Sequence, residues 1–367
     1  MHDRKSLGPL KLFGLLLIGL FIAFCLLLPT IRLFTDASLA QTSVSSSQID
    51  DQTTSDRILL YATSFFATVS FLAIGASVGS YLNVIVYRVP RKIPLTFTRS
   101  GCPKCGAPIH LSDNIPIISW CRLKGRCRAC QAPISIRYPL VEISVAVIFL
   151  TLYFQELLSG GANIPVRPPN LYNGVLWILF YTKWDLVGLY LLHCFMLTTI
   201  LGWALINSDD FRVPRSSLLT TLLIACMTIL IWPDLMPVHL KHSLSQSLYG
   251  SDRIQALISS LCGILFGALL GYFLTWLVKK EWLVCSSHAN AITYAFILCG
   301  AIYGSQAMPT ITLIAFVFIL LQRMITHSFK YPVLKSSPIA TFLAIFAFHF
   351  FWRSLTWLQV NIPPHSN

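Results

Sequence analysis

Four cysteines have the residue type and the spacing to bind a metal ion. Cys102 and Cys105 form one Cys-x-x-Cys pair, and Cys127 and Cys130 form a second. Each pair is followed by a similar turn, because Ala-Pro-Ile comes two residues after its second cysteine. A tight turn directs two thiolates at one centre, and two such turns complete a closed tetrahedral site that suits zinc. The spacing therefore predicts a structural zinc site, with two disulfides as the alternative.

The composition of the chain is strongly apolar, and it indicates which kind of secondary structure positions these cysteines. Of the 367 residues, 55% are hydrophobic and only 11% are charged. Several apolar runs reach the roughly 20 residues that a helix needs to cross a bilayer. The chain is therefore predicted to be an all-α polytopic membrane protein. The two or three soluble domains that its length alone would allow are excluded.

Nine membrane-spanning helices are predicted from the apolar runs. They cover about 12–34, 58–87, 139–158, 186–206, 216–235, 254–278, 289–303, 311–321 and 338–352. The first is interpreted as an uncleaved anchor, with a cleaved signal peptide as the alternative. Four regions follow in order. They are an anchor with an outer loop (1–57), a span (58–87), a cysteine loop resembling a zinc ribbon (88–138) and a membrane domain (139–367).

The net charge of +13 is explained by the loops between the spans. The segment Arg88–Arg137 contains ten Lys or Arg residues and one acid, Asp113. This asymmetry predicts a cytoplasmic loop, where thiols stay reduced and zinc is favoured over disulfides. A nucleic-acid-binding ribbon is disfavoured, because Trp120 is the only aromatic residue in this loop between Phe97 and Tyr138. Membrane lipid, and no nucleic acid, is the expected environment.

The sequence around the cysteines carries a family resemblance. Gly75–Pro90 reads GASVGSYLNVIVYRVP, Asn114–Trp120 reads NIPIISW and Arg137–Glu142 reads RYPLVE. In order, spacing and identity these segments resemble the amino-terminal half of the type IV prepilin leader peptidases. That family consists of polytopic membrane aspartyl proteases (peptidase A24) that also N-methylate the new amino terminus.

The resemblance implies a location, partners and a cofactor. It implies the bacterial inner membrane, with the zinc loop on the cytoplasmic face. It implies prepilin-like or pseudopilin substrates, or assembly proteins, of type IV pilus or type II secretion systems. S-adenosylmethionine is the implied methyl donor if methylation is retained. Asn83 and Glu142 are the candidates for a substrate or methyl-donor region, with a structural role at the loop–membrane junction as the alternative.

The first catalytic acid of the family is replaced. An intramembrane aspartyl protease needs two carboxylates that share a proton across one water. The family's first acid segment reads Ile-Asp-x-Asp-x-x-x-(Ile/Leu)-Pro-Asp, and Ile206–Arg215 reads INSDDFRVPR. This resemblance places Asn207 in the first catalytic position and Asp209 in the accessory position. Asn cannot accept a proton as a base, so the first carboxylate is missing.

The second catalytic acid is missing as well. Gly300–Pro309 reads GAIYGSQAMP and resembles the segment that follows the family's second acid, which places that position near Ile292. The chain has no Asp after Asp252, and its only later Glu is Glu281, beside two lysines. Glu281 is interpreted as a solvated charge at the end of a span. Both acid positions are therefore predicted to be vacant.

The remaining acids near the site, Asp209 and Asp210, are weak catalytic candidates. Sequence neighbours on a helix do not share a face, so they cannot hold a water between them. We therefore predict a homologue without standard aspartyl chemistry. An enzyme with relocated acids, or a methyltransferase alone, is the alternative. A transporter is disfavoured, because the spans contain almost no ionisable residue at mid-depth. Asn207 is expected to approach Ile292, and Asp209 to pair with a basic residue or water.

Overall fold

The computed structural model describes residues 54–95, 101–102, 104–165, 174–236, 252–282, 290–329 and 337–356. Within these ranges the regular secondary structure is helical, and the cysteine loop also contains two isolated β-bridges. The α-helices are α1 (Thr54–Arg88), α2 (Ile118–Arg122), α3 (Arg137–Leu152), α4 (Val175–Phe180), α5 (Trp184–Ser208), α6 (Arg215–Ile231), α7 (Asp252–Trp282), α8 (Asn290–Tyr303), α9 (Met308–Phe329), α10 (Ser337–Phe350) and α11 (Trp352–Thr356). A π-helical stretch, Tyr153–Leu158, continues α3.

Five of the described segments are long and apolar enough to cross a membrane. They are Ile58–Arg88, Arg137–Leu158, Trp184–Ser208, Arg253–Val278 and Ser305–Met324. Three shorter apolar helices, α6, α8 and α10, contain 17, 14 and 14 residues and match three more of the predicted spans. The all-helical prediction is confirmed. The count of nine spans remains a prediction, because the first run, 12–34, lies outside the described residues.

Two glycines bring α1 against α3. A Cβ atom at Gly75 would lie 2.8 Å from Ala146 Cα, and one at Gly79 would lie 2.7 Å from Glu142 Cα. Small residues four positions apart allow two apolar helices to approach until their backbones touch. This contact sets the position of the Arg137 end of α3, where the cysteine loop rejoins the bundle.

A second glycine pattern joins α7 to α8. A Cβ atom at Gly263 would lie 1.9 Å from Gly300 O, and one at Gly267 would lie 2.3 Å from Phe296 O. Gly271 continues the same face, since its Cβ atom would lie 2.8 Å from Phe296 Cβ. The Ser260 hydroxyl also donates to Ala301 O at 2.8 Å. Gly263, Gly267 and Gly271 recur every four residues in the sequence, which is the local signal of this contact.

Helix α5 forms the centre of the bundle, with sixteen of its residues buried. It packs against α1, α3, α8 and α10. Its carboxyl end at Ser208 lies beside the amino end of α3 at Arg137, where the two helices are joined by side-chain contacts. The cysteine loop and the Asn207 turn therefore lie at the same end of the bundle.

Candidate functional site

The two cysteine pairs fold into equivalent turns. In the first, Cys102 N donates to Ala107 O at 2.9 Å and Gly106 N donates to Cys102 O at 2.8 Å. In the second, Cys127 N donates to Ala132 O at 2.8 Å and Gln131 N donates to Cys127 O at 3.0 Å. The residue after each pair is left-handed, with φ of 69° at Gly106 and 56° at Gln131. Glycine adopts this conformation freely, whereas Gln131 is strained in it.

The four thiols converge on one point. Their Sγ atoms all lie within 4.8 Å of one another, and Cys102 Sγ is 3.8 Å from Cys130 Sγ. The cysteines are free thiols, which does not support the disulfide alternative. Tetrahedral bonds of about 2.3 Å would place sulfur atoms just under about 4 Å apart. The donor set and its convergence fit a zinc ion, which would cross-link the two turns and have no open coordination position.

The thiols of Cys102 and Cys130 differ in pKa. The backbone N–H groups of Cys105 and Lys104 lower the pKa of the Cys102 thiol to about 6. At Cys130 the backbone N–H of Ala132 lowers the pKa, but hydrogen bonding with Cys105 and desolvation outweigh it and raise the pKa to about 11. The cluster thus stabilises negative charge on one sulfur and retains a proton on another. A cation replaces such protons when it binds.

Asp113, the single acidic residue of the loop, binds the side chains of Arg122 and Arg128. Arg128 binds it in a bidentate manner, with Nε–Oδ2 and Nη2–Oδ1 distances of 2.6 Å. Arg122 Nη2 lies 2.7 Å from Oδ1. The Arg128 hydrogen bonds, with a smaller contribution from Arg122, lower the pKa of Asp113 to about 2. Asp113 therefore connects the segment before α2 to the second cysteine pair.

The loop is fixed to the bundle through Glu142 and Asn83. Glu142 Oε2 accepts a hydrogen bond from Ile117 N at 2.6 Å, and Ile117 is left-handed with φ of 64°. Asn83 Nδ2 donates to Tyr138 O at 3.1 Å. A β-branched residue rarely adopts positive φ, so the carboxylate holds a strained turn in place. These contacts favour the structural alternative for both residues.

Arg137 and Asp209 connect the end of the cysteine loop to the turn that follows Asn207. Arg137 Nη1 contacts Asp209 Oδ1 in an ion pair, and Arg137 Nη2 donates to Leu205 O at 3.4 Å. The expectation that Asp209 pairs with a basic residue is confirmed. Asp210 is exposed and left-handed, with φ of 60°, at the turn that ends α5. Arg137 was not singled out as a functional residue, because nothing local in the sequence links it to position 209.

The two positions that the resemblance assigns to the family's acids, Asn207 and the neighbourhood of Ile292, lie on α5 and α8, and these two helices contact each other. Asn290, at the start of α8, donates from Nδ2 to Val213 O at 2.9 Å. This bond holds the start of α8 against the turn that follows Asn207. Asn207 and Ile292 are both buried. Glu281 lies in the last turn of α7, and its side chain lies outside the described residues.

Comparison with known proteins shows that one segment of the chain is similar to a known family domain. Residues 73–156 match the bacterial peptidase A24 N-terminal domain. A prepilin leader peptidase/N-methyltransferase of Myxococcus xanthus is 46% identical over 84 residues, which are 23% of this chain and 25% of that protein. A type 4 prepilin-like proteins leader peptide-processing enzyme of Escherichia coli is 43% identical over 106 residues, covering 24% of this chain and 39% of that protein.

One relative aligns over a much longer stretch. A prepilin leader peptidase/N-methyltransferase of Aeromonas hydrophila is 28% identical over 312 residues, covering 76% of this chain and 87% of that protein. The matches to the Myxococcus and Escherichia proteins span less than half of their lengths. No solved structure matches the chain significantly. The similarity is thus concentrated in the segment that contains the cysteine loop and weaker beyond it.

Proposed function

We propose that this chain, which carries a bacterial peptidase A24 N-terminal domain at residues 73–156, is a divergent prepilin-peptidase homologue without the standard aspartyl chemistry. It would keep the helical scaffold and the zinc loop of the family. Its role would be to bind prepilin-like or pseudopilin chains, or assembly proteins, of a type IV pilus or type II secretion system. Its place would be the bacterial inner membrane, with the cysteine loop in the cytoplasm.

The observation that carries this proposal is the missing second carboxylate. The chain contains no Asp after Asp252, so no alignment register can supply an aspartate from α8. Asn207 stands in the first acid position and Ile292 near the second. An amide and an alkyl group cannot share a proton or activate a water, so the two-carboxylate mechanism has neither its base nor its acid.

The surroundings of Asp209 support the same proposal. Its carboxylate forms an ion pair with Arg137, so a guanidinium rather than a second carboxylate engages it. Asp210, the adjacent acid, is exposed at the end of α5. The arrangement fits a turn that links the loop to the bundle.

Methyl transfer is the second candidate function, because the matched segment contains the cysteine loop with Asn83 and Glu142. S-adenosylmethionine would be the methyl donor. In the described part of the chain, both residues form hydrogen bonds with backbone groups of the loop, which fits a structural role. Zinc in the cysteine loop would have a structural role in either function.

The test is co-expression with a prepilin substrate, with leader removal and amino-terminal methylation read separately by mass spectrometry. The Aeromonas hydrophila relative is the positive control, and a substrate already trimmed of its leader tests methylation alone. We expect no leader removal by this chain. Leader removal that is lost in Asp209→Ala would overturn the proposal. Methylation of the trimmed substrate without cleavage would instead establish the second candidate function.

A converse test uses the double variant Asn207→Asp with Ile292→Asp. It restores a carboxylate at each vacant position. We expect partial recovery of cleavage only if the two positions face each other closely, because a displacement of about 1 Å can abolish such chemistry. Recovery would support the assignment of both positions. The single variants are the matched controls and should remain inactive.

A further inference from the structure

A cluster of ionisable side chains lies at the other end of the bundle from the cysteine loop. Glu156, His193 and His349 come from the π-helical stretch after α3, from α5 and from α10. Their relative exposures are 0%, 0% and 1%. Glu156 Oε1 lies 2.6 Å from His193 Nδ1 and 3.0 Å from His349 Nε2. One ligand atom of each residue lies within 4.8 Å of the other two.

We propose that Glu156, His193 and His349 bind a divalent first-row transition-metal ion such as Zn²⁺. Two imidazoles and one carboxylate form a common donor set for such ions, and three protein ligands leave at least one coordination position open. Tetrahedral bonds of about 2.05 Å place ligand atoms roughly 3.3 Å apart. Binding therefore requires His193 and Glu156 to separate by about 0.7 Å, a shift within the reach of side-chain rotation.

Unpartnered polar atoms point to a missing ligand at the cluster. Among the described residues, Glu156 Oε2, His193 Nε2 and Asn163 Oδ1 are buried without a hydrogen-bond partner. The Asn163 amide lies beside the cluster, with Nδ2 3.5 Å from His349 Nε2. A buried polar atom without a partner is costly. A metal ion would engage the second carboxylate oxygen, and rotation of the amide would turn the Asn163 oxygen toward the same point.

The charge of the cluster supports the same conclusion. Glu156 places a carboxyl group in an apolar interior, where an ionised carboxylate is expensive unless a cation lies beside it. The surrounding side chains are aromatic, and His193 lies 5.7 Å, ring to ring, from both Tyr303 and Trp352. A divalent cation bound by the three ligands would supply such a positive charge.

The residues around the ligands already orient them. Tyr303 OH lies 2.6 Å from His349 Nδ1, so Nδ1 is engaged and Nε2 is directed at Glu156. A hydrogen bond to the second nitrogen is typical of metal-binding histidines, because it fixes the tautomer and the ring orientation. Arg353 binds Asn163 O through its backbone N–H at 3.1 Å and Ala162 O through Nη1 at 3.2 Å. The loop that contains Asn163 is thereby held over the cluster.

The site is separate from the cysteine centre. Glu156 lies 19 residues after Arg137 on a continuous helical segment, which is roughly 28 Å at 1.5 Å per residue. This is close to the thickness of the hydrocarbon core of a bilayer. The π-helical backbone at Glu156 is itself uncommon, and such turns occur frequently at functional sites. This metal site does not depend on the proposal that the chain lacks the standard aspartyl chemistry.

The test measures metal stoichiometry on the full-length protein in detergent, loaded with Zn²⁺ and, separately, with Co²⁺. We expect two equivalents in the wild type and one in Glu156→Gln, His193→Asn and His349→Asn. His110→Asn, which changes an exposed histidine of the cysteine loop, is the matched control and should keep both equivalents. Cobalt distinguishes the sites, because only the cysteine centre gives thiolate charge-transfer absorption. That band also reports that the cysteine loop of each variant is folded.

Two further measurements keep the test decisive if the ligand variants do not fold. X-ray absorption of the wild type should show a fraction of zinc with nitrogen and oxygen ligands at about 2.0–2.1 Å. Tyr303→Phe keeps all three ligands and should weaken binding at this site roughly 10–100-fold, because it removes the orienting hydrogen bond. Zinc found only with sulfur ligands, or full stoichiometry in all three ligand variants, would overturn the proposal.

Discussion

The carboxylate of Glu142 holds the backbone N–H of Ile117 at 2.6 Å, across 25 residues of sequence. Ile117 is left-handed, with φ of 64°, immediately before α2. The bond therefore connects the strained turn of the cysteine loop to the buried first turns of α3.

Glu142→Ala should loosen the cysteine loop. The substitution leaves the Ile117 N–H without its partner, and loss of a hydrogen bond to a charged acceptor costs about 1.5–3 kcal/mol. We expect faster protease cleavage within residues 104–136 and faster zinc release. Asn114→Ala, at an exposed position of the same loop, is the control. Equal behaviour of the two variants would contradict a structural role for Glu142.

Replacement of any one of the four clustered cysteines (Cys102, Cys105, Cys127 and Cys130) by serine should remove the metal from the loop. Cys102→Ser, for example, leaves three thiols where a closed zinc site requires four. We expect loss of the zinc with sulfur ligands at roughly 2.3 Å and a lower yield of folded protein. Cys121→Ser changes an exposed free cysteine outside the cluster and is the control. Normal zinc content in Cys102→Ser would refute the site.

Asp113→Asn should destabilise the loop in a pH-dependent manner. Arg128, and to a smaller extent Arg122, lower the pKa of Asp113 to about 2. The ordinary pKa is about 3.9, so the folded state favours the charged carboxylate and the stabilisation is complete above that pH. It is lost as the pH falls through about 2.

The measurement is the difference in thermal unfolding midpoint between wild type and Asp113→Asn from pH 7 to pH 2. We expect the wild type to be more stable by a constant margin down to about pH 5 and the margin to vanish near pH 2. Acid release of zinc affects both proteins and cancels in the difference. A margin that persists unchanged at pH 2 would show that the ion pairs do not supply it.

Gly263→Ala should disrupt the packing of α7 on α8. The added methyl group would lie 1.9 Å from Gly300 O, so the two backbones must separate. Overpacking of this kind costs about 1–3 kcal/mol. Leu265→Ala changes an exposed side chain of the same helix and is the control. We expect a lower unfolding temperature in detergent for Gly263→Ala than for Leu265→Ala, and the reverse order would contradict the close backbone contact.

Labelling of engineered cysteines should place the cysteine loop in the cytoplasm. Ser112→Cys lies in that loop, and Tyr181→Cys lies at an exposed position before α5, at the opposite end of the bundle. The background protein retains the four clustered cysteines and lacks all others. A membrane-impermeant maleimide added to intact cells should modify position 181 and not position 112. Strong labelling of position 112 from outside would reverse the predicted orientation.

The sequence by itself determined the features that depend on local pattern. Apolar run length predicted the helices, because a buried backbone must satisfy its own hydrogen bonds. The Cys-x-x-Cys spacing predicted the convergence of four thiols, because each turn is closed by bonds within six residues. The absence of an Asp after Asp252 is likewise a property of the sequence alone. Most ends of the described helices were predicted to within about four residues, whereas α9 ends at Phe329, eight residues beyond the predicted end at position 321.

Only the tertiary structure decided which distant side chains meet. Arg137 and Asp209 are 72 residues apart and form an ion pair, and no local pattern joins them. His349 reaches Glu156 from α10, almost two hundred residues later. These pairings depend on how helices pack, and the packing is set by small residues such as Gly79 that let backbones approach. The buried cluster at Glu156 was therefore invisible in the sequence, because its three members share no spacing and meet only in the assembled bundle.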